Sequence, residues 1–228
     1  MTTGNRRSKI TRNQFERAAW ALENVIVGVD EVGRGCLAGP VVAAAVMLWP
    51  NSKHKLLQDS KILTHEQRLE AYQWIIKHSW HAIGIIGHRV IDRDNIYKAT
   101  QRAMARALFH LLAHAPHTPT EIVIDAMPLD VSLGFPGTIH HFPFGESLSC
   151  SIAAASIIAK VTRDALMDLH HANFPAYGLA GHKGYATPQH IEALRKYGEN
   201  FIQRTTFKWN HDEKTGAPTD AQRQETLF

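Results

Sequence analysis

Residues 25–35 read VIVGVDEVGRG. An apolar β-type run stops at two adjacent carboxylates, Asp30 and Glu31, and passes at once into Gly33-Arg34-Gly35. Val25, Ile26, Val27 and Val29 are apolar enough to mark a central strand, and ligands of α/β sheets gather outside the carboxyl ends of such strands. Neighbouring acids repel each other and are costly to bury unless a cation or a proton sits between them. Successive residues of a regular strand point to opposite faces, so both acids serve one site only if the chain leaves β geometry near Glu31. The glycines permit that, and a glycine-flanked arginine suits close approach to phosphate and sugar. A plain turn at a strand end is the rival reading, and this stretch alone does not decide between them.

The second strand of this kind is EIVIDAMPL, residues 121–129, where Ile122, Val123 and Ile124 run into Asp125 before Pro128 breaks the pattern. Taken alone, Asp125 caps a turn. If the two strands are parallel neighbours, Asp30 and Asp125 lie side by side at one sheet edge. A third element is the helix SIAAASIIAKVTRDALMDLH at 151–170, apolar nearly all round over 152–161 and therefore packed on most faces. Ser156, Lys160 and Asp164 recur there at i, i+4, i+8, with Arg163 on an adjoining line. A Lys160–Asp164 ion pair on a solvated edge would be worth only a few tenths of a kcal/mol (~0.3). A polar stripe on a mostly buried helix instead predicts a face turned to the site, with Asp164 as the fourth acid.

Four carboxylates with few other donors select a hard divalent ion, magnesium or manganese, over zinc. A pair of such ions can activate a water and stabilise the leaving oxygen of a phosphodiester displacement. Arg34, Lys61 and Lys160 then hold phosphates, lysine as a point charge and arginine as a fork. The reading is metal-dependent chemistry on nucleic acid.

Composition sets wider bounds. At 228 residues, 44% hydrophobic and 20% charged, the chain suits one sizeable domain. The net charge of +4 favours a polyanionic partner only mildly. Two cysteines, Cys36 and Cys150, are too few for a disulfide framework or a cysteine-based zinc site and fit a reducing, cytoplasmic address. The N-terminus carries Arg6, Arg7, Lys9, Arg12 and Arg17 without an apolar core before Trp20, unlike a secretory signal. The run from Val41 to Trp49 is far below the ~20 residues of a membrane span. The 15 histidines include His110 and His114 at i, i+4, but Leu111 follows His110 where a zinc-protease helix needs glutamate.

Strands are predicted at 25–30, 40–48, 81–88 and 121–125, with a short one at 138–142. Helices are predicted from Asp92 or Asp94 to Pro116, over 147–170, and over 188–197 ending at Gly198. The fold class that follows is α/β, a mixed sheet flanked by helices, with a small C-terminal helical extension. Residues 1–210 form one catalytic domain in this reading, and 211–228 a polar tail.

Several motifs in order, DEVGRG, AGPVVAAAV, DSK at 59–61, NIYKATQRAM at 95–104, IDA at 124–126, SIAAASIIAKVTRD at 151–164 and HKGY at 182–185, resemble bacterial ribonuclease HII over roughly residues 25–207. The resemblance implies a ribonuclease H-like fold. It also implies metal-dependent cleavage on the 5′ side of ribonucleotides in RNA/DNA hybrids or embedded in duplex DNA, leaving 3′-hydroxyl and 5′-phosphate ends. Such an enzyme removes misincorporated ribonucleotides and RNA primers. The implied metal-binding acids are Asp30, Glu31, Asp125 and Asp164. Gly33, Arg34 and Gly35 would sense the ribose 2′-hydroxyl, the group that distinguishes RNA from DNA, with Lys61, Lys160 and Arg163 as further substrate contacts. Tyr185 would pack against the neighbouring sugar.

The chain departs from that pattern in three places. Phe144-Gly145-Glu146 stands where Lys-Gly-Asp is usual, which leaves open a phosphate contact or a local acid there. Cys36 replaces a frequent proline, and Gln203-Arg204 a common His-Arg. The related ribonuclease HIII differs between its two glycines and usually carries an extra N-terminal domain. A ribonuclease H-like junction nuclease and a non-catalytic RNA/DNA binder are the alternatives. Finally, the tail ends QETLF, and Gln224, Leu227 and Phe228 resemble the short peptides that bind the bacterial replication sliding clamp. No feature demands more than a monomer, and none points to a membrane.

Overall fold

In the computed structural model, which describes residues 12–129 and 135–209, the apolar run of the opening motif becomes β1 (Ile26–Val32), the middle strand of a five-stranded sheet. Its partners are β2 (Val41–Leu48), β3 (Ser79–Ile86), β4 (Glu121–Asp125) and β5 (Thr138–Phe142), in the order β3-β2-β1-β4-β5. The sheet is mixed. β1 pairs antiparallel with β2 and β2 with β3, whereas β1–β4 and β4–β5 are parallel. In the β1–β4 register Val29 lies opposite Ile124. One step further, Asp30 and Asp125 end neighbouring parallel strands at the same edge.

Strand alternation divides the core in two. Val27, Val29, Ala43, Ala45, Ile122 and Ile124 turn to one face, where they meet Ala103, Met104, Ala107 and Leu111. Those residues belong to the nineteen-residue helix Ile96–His114, numbered α4 below. Val42, Ala44, Val46 and Leu48 turn to the other face against Ala154, Ala155, Ile158 and Ala159 of the helix Cys150–Asn173, numbered α6. Asp30 and Asp125, two residues beyond Gly28 and Val123, share that second face by the same alternation.

Gly28 brings β1 and α6 together. A Cβ there would lie 2.1 Å from the Ser151 carbonyl carbon, so only glycine lets the helix come this close. The start of α6 is held by two acceptors. The Ser149 hydroxyl accepts from the Ile152 N–H at 3.1 Å, and the buried Glu16 carboxylate accepts from the Ser151 N–H at 3.0 Å. Glu16 sits in the first helix, α1 (Gln14–Ala21), and its negative charge suits a helix N-terminus.

Among the described residues the remaining helices are α2 (His65–Ile75), α3 (His88–Asp94), α5 (Gly145–Leu148), α7 (Leu179–His182) and α8 (Pro188–Tyr197), with a 3-10 turn at Pro175–Tyr177. α1 and α2 go beyond the sequence expectation. The strand expected over 81–88 instead starts at Ser79 and ends at Ile86. The helix expected from Asp92 is two, because Asn95 takes φ +74° and caps α4 by accepting from the Lys98 N–H. The helix expected over 147–170 is likewise preceded by the separate turn α5. Among the described residues no helix is long and apolar enough to cross a membrane, and both cysteines are free and buried.

Gly28→Ala tests the close contact. It should lower stability by about 3 kcal/mol in urea unfolding, at the high end for an added methyl group because backbone atoms must move. A loss below about 0.5 kcal/mol would mean that α6 does not depend on this approach.

Candidate active site

Burial governs the chemistry of the acids at the sheet edge. Asp30 is 6% exposed, and its carboxyl is pushed well above the usual range by burial, then by the charges of Glu31 and Asp125; hydrogen bonds from Ser156 and from the Glu31 N–H work against this. The Glu31 N–H donates to Asp30 Oδ1 at 2.7 Å. Burial also raises Glu31, against the opposing charges of Arg34 and Lys61. Arg34 Nη1 stands 3.6 Å from Glu31 Oε1. Asp125 is raised to about 7 by burial, with Glu146 and Glu31 adding repulsion and the Gly145 N–H, 2.7 Å from Oδ1, opposing it.

The fourth acid of this cluster is Glu146, where sequence reasoning expected Asp164. Glu146 is 7% exposed, interacts directly with Asp125, and carries one buried carboxylate oxygen, Oε2, with no hydrogen-bond partner. Asp164 lies eight residues beyond Ser156 on α6, about 12 Å along the helix axis. There it accepts from Lys160 Nζ at 2.9 Å, and its charge acts on Tyr185. The sequence signal for Glu146 was the substitution in Phe144-Gly145-Glu146. Phe144 takes φ +60° and starts α5, which turns Gly145 and Glu146 toward Asp125.

Lys61 reaches over the cluster from the loop before α2. Burial opposes its charge, but Asp59, Glu146, Asp30 and Asp125 together outweigh that and raise its pKa. The loop is tied down by the Ser60–Ser156 hydroxyl pair at 2.9 Å and by the Arg68 guanidinium on the Ser60 carbonyl. A cation therefore already faces the acids.

The second group of expected residues gathers around Tyr185, which is 38% exposed. Lys160 Nζ lies 5.9 Å and the Arg163 guanidinium 5.8 Å from its ring centre. Arg163 departs from the expected substrate contact. It is fully buried and each of its three nitrogens donates to a backbone carbonyl, Nε to Pro40 at 3.0 Å, Nη1 to Lys183 at 2.9 Å and Nη2 to Ala38 at 3.2 Å. Gly33 takes φ +93°, and a Cβ there would strike Arg163 Nε at 2.2 Å. The Tyr185 loop is fixed from behind by stacked His182 and His190, 4.4 Å apart, with His190 Nδ1 2.9 Å from the Tyr185 carbonyl. His110 and His114 form no site: His114 Nδ1 bonds the His110 carbonyl at 2.8 Å. Gln224, Leu227 and Phe228 lie outside the described residues.

The donor set fits a hard divalent ion. It is all carboxylate oxygen, mutually repelling and largely buried, and it includes an orphaned oxygen. Among the described residues no three acid, imidazole or thiol groups stand close enough together to hold an ion as they are placed.

A mixed sheet with acids at the ends of its central parallel pair, backed by a buried helix, is the arrangement of ribonuclease H-like nucleases. A sequence model of the family "Ribonuclease HII" matches residues 27–211, and the chain belongs to that family, whose members are ribonuclease H hydrolases. The chain is similar to ribonuclease H2 from Pyrococcus horikoshii, at 24% identity and TM-score 0.68, covering 81% of this chain and 94% of that one. It is similar to ribonuclease HII from Archaeoglobus fulgidus, solved in complex with PCNA, at 22% and 0.66, covering 84% and 98%. Bst-RNase HIII, solved in complex with Mn2+, aligns at 26% and 0.63, covering 80% of this chain and 66% of that one.

The raised Asp125 gives a signed pH prediction. Its folded value of about 7 exceeds the ordinary 3.8, so the folded state binds more protons between these limits. Stability from this group is intact below the lower value and lost as pH rises through the upper one. In chelator, Asp125→Asn should exceed wild type by about 2 kcal/mol at pH 8 and match it near pH 4 in urea unfolding. A less stable variant at pH 8 would contradict the assigned repulsion.

Proposed function

We propose that this chain is an endoribonuclease that hydrolyses the phosphodiester bond on the 5′ side of a ribonucleotide. Its substrates are RNA/DNA hybrids and duplex DNA with embedded ribonucleotides, and it leaves 3′-hydroxyl and 5′-phosphate ends. The observation that carries this reading is the meeting of Asp30, Glu31, Asp125 and Glu146, with its orphaned oxygen, at one sheet edge. These four carboxylates would hold magnesium or manganese. When bound, such ions lower the pKa of an attacking water and neutralise charge on the leaving oxygen.

The chain's own residues supply the rest. Asp30 is oriented by Ser156 and by the Glu31 N–H, and Asp125 by the Gly145 N–H, so each presents a fixed oxygen. Lys61 and Arg34 stand beside the acids as phosphate contacts, and their charge offsets that of an incoming phosphodiester. Gly33, Arg34 and Gly35 read the ribose, while Tyr185, flanked by Lys160, packs on the adjoining sugar. The role for the enzyme is removal of misincorporated ribonucleotides and RNA primers. Asp164 in this reading holds Lys160 and binds no ion.

The test uses duplex DNA with one ribonucleotide, beside an all-DNA duplex and a four-way junction, in magnesium or manganese. Cutting only beside the ribonucleotide is expected. Junction cutting would favour a DNA junction nuclease, and binding without cutting a non-catalytic binder. Asp125→Asn and Glu146→Gln should each lower kcat about a thousandfold, against less than tenfold for Asp164→Asn. The reverse order for Glu146 and Asp164 would restore Asp164 as the ligand.

The tail adds a partner. The PCNA complex of the Archaeoglobus fulgidus relative supports a replication sliding clamp as the binder of Gln224, Leu227 and Phe228. Deleting residues 224–228 should abolish clamp retention in a pull-down while leaving cleavage intact, and unchanged retention would remove the tail from that role.

A further inference from the structure

Two guanidiniums lie buried behind the segment that follows the acids. Arg204 is fully buried, and its donors go to backbone: Nη2 to the Gly33 carbonyl at 2.6 Å, Nη1 to the Arg34 carbonyl at 2.8 Å and Nε to the Gly39 carbonyl at 3.0 Å. Its own N–H donates to the Leu37 carbonyl at 2.8 Å. Arg163 takes the carbonyls of Ala38 and Pro40 from the other side. The segment is largely buried, only Arg34 and Gly35 being partly exposed, so its carbonyls need partners inside the protein. Here five of them, from Gly33, Arg34, Ala38, Gly39 and Pro40, turn inward to two cations.

The consequence follows from peptide geometry. In a planar trans peptide the carbonyl of one residue and the N–H of the next point in opposite directions. With the Gly33 and Arg34 carbonyls drawn inward by Arg204, the N–H groups of Arg34 and Gly35 point outward, side by side. Successive outward N–H groups form a concavity suited to an oxygen acceptor. Only an extended planar donor reaches two adjacent carbonyls and a third five residues on. Lysine offers a single nitrogen and cannot span them.

We propose that Arg204 is the positioning residue for ribose recognition: its guanidinium turns the Gly33-Arg34-Gly35 backbone so that the N–H groups of Arg34 and Gly35 meet the 2′-hydroxyl oxygen of the substrate. This rests on the ribonucleotide-directed activity proposed above and names the residue that sets its selectivity. Arg204 itself touches no substrate. It lies 170 residues from Arg34 in sequence, on the segment after α8, so the C-terminal extension contributes to recognition through this side chain.

The experiment compares Arg204→Gln and Arg204→Lys with the full-length wild type, each also carrying Asp125→Asn for binding. Affinity is measured for a duplex with one ribonucleotide and for the same duplex in all-DNA form. Arg204→Gln should reduce the ribonucleotide preference about tenfold, the scale of one lost hydrogen bond, while all-DNA affinity stays within about twofold. Arg204→Lys should fall between. In the cleaving enzyme the change should fall on KM and kcat together for the ribonucleotide duplex. Folded variants that keep the wild-type preference overturn the proposal.

If the variants do not fold, the wild type decides. The Nε–H resonance of Arg204 should shift on adding the ribonucleotide duplex and stay fixed with all-DNA duplex, and an unchanged resonance in both overturns the proposal. A wild type without ribonucleotide preference would instead defeat the proposed function, which keeps the two failures apart.

Discussion

Repulsion among carboxylates at the end of the β1–β4 seam is the constraint on which the rest of the structure depends. Burial raises Asp30, Glu31 and Asp125, and the charges of neighbouring acids, Glu31 and Asp125 on the first and Glu146 and Glu31 on the last, push Asp30 and Asp125 further the same way. Burying like charges together is unfavourable unless something of opposite sign is near. The fold surrounds the cluster with partial answers: the Gly145 N–H on Asp125, the Glu31 N–H on Asp30, Arg34 beside Glu31 and Lys61 above. None closes the site. A carboxylate oxygen of Glu146 is left without a partner, and an edge that strongly acidic is matched to a divalent cation carrying a phosphate with it.

Behind the 33–40 segment the electrostatics are inverted. Arg163 and Arg204 are buried cations whose hydrogen bonds go to backbone carbonyls, and burial lowers Arg204 to about 10 although the Asp92 charge opposes this. Carbonyl dipoles satisfy a guanidinium's donors without cancelling its charge. The positive field therefore passes through the 33–40 segment. Acids at the strand ends and arginines behind that segment give the protein two adjoining zones of opposite electrostatic character.

The zones differ in how legible they were. β1 and β4 could be read because apolar runs end abruptly in aspartate, and period-2 alternation then fixes which face Asp30 and Asp125 share. α2 was missed although Thr64 and Gln67 form a capping box, because only Ala71 and Ile75 of that helix are buried and no apolar stripe marks it. α1 was hidden in a basic stretch, its structural work done by the single buried Glu16. Asp164, expected beside the other acids, lies instead with Lys160 and Tyr185, because an i, i+4, i+8 row looks continuous on paper. Each step of four turns ~400° about the axis and climbs ~6 Å, so the row leaves one site and enters another. Glu146 sits in a four-residue helix too short to show a period.

That drift along α6 links two side-chain clusters on one rigid element. Ser156 faces Asp30 and the Ser60 anchor at one level, while Lys160, Arg163 and Asp164, one to two turns on, face Tyr185 and the 33–40 segment. The helix between them is buried from Cys150 to Ala159 and pinned to β1 by the Gly28 contact. The separation along α6 between Ser156, beside Asp30, and Lys160 and Asp164, beside Tyr185, is therefore set by helix rise, about 1.5 Å per residue, and the two clusters keep a fixed offset as long as the Gly28 contact holds the helix in place.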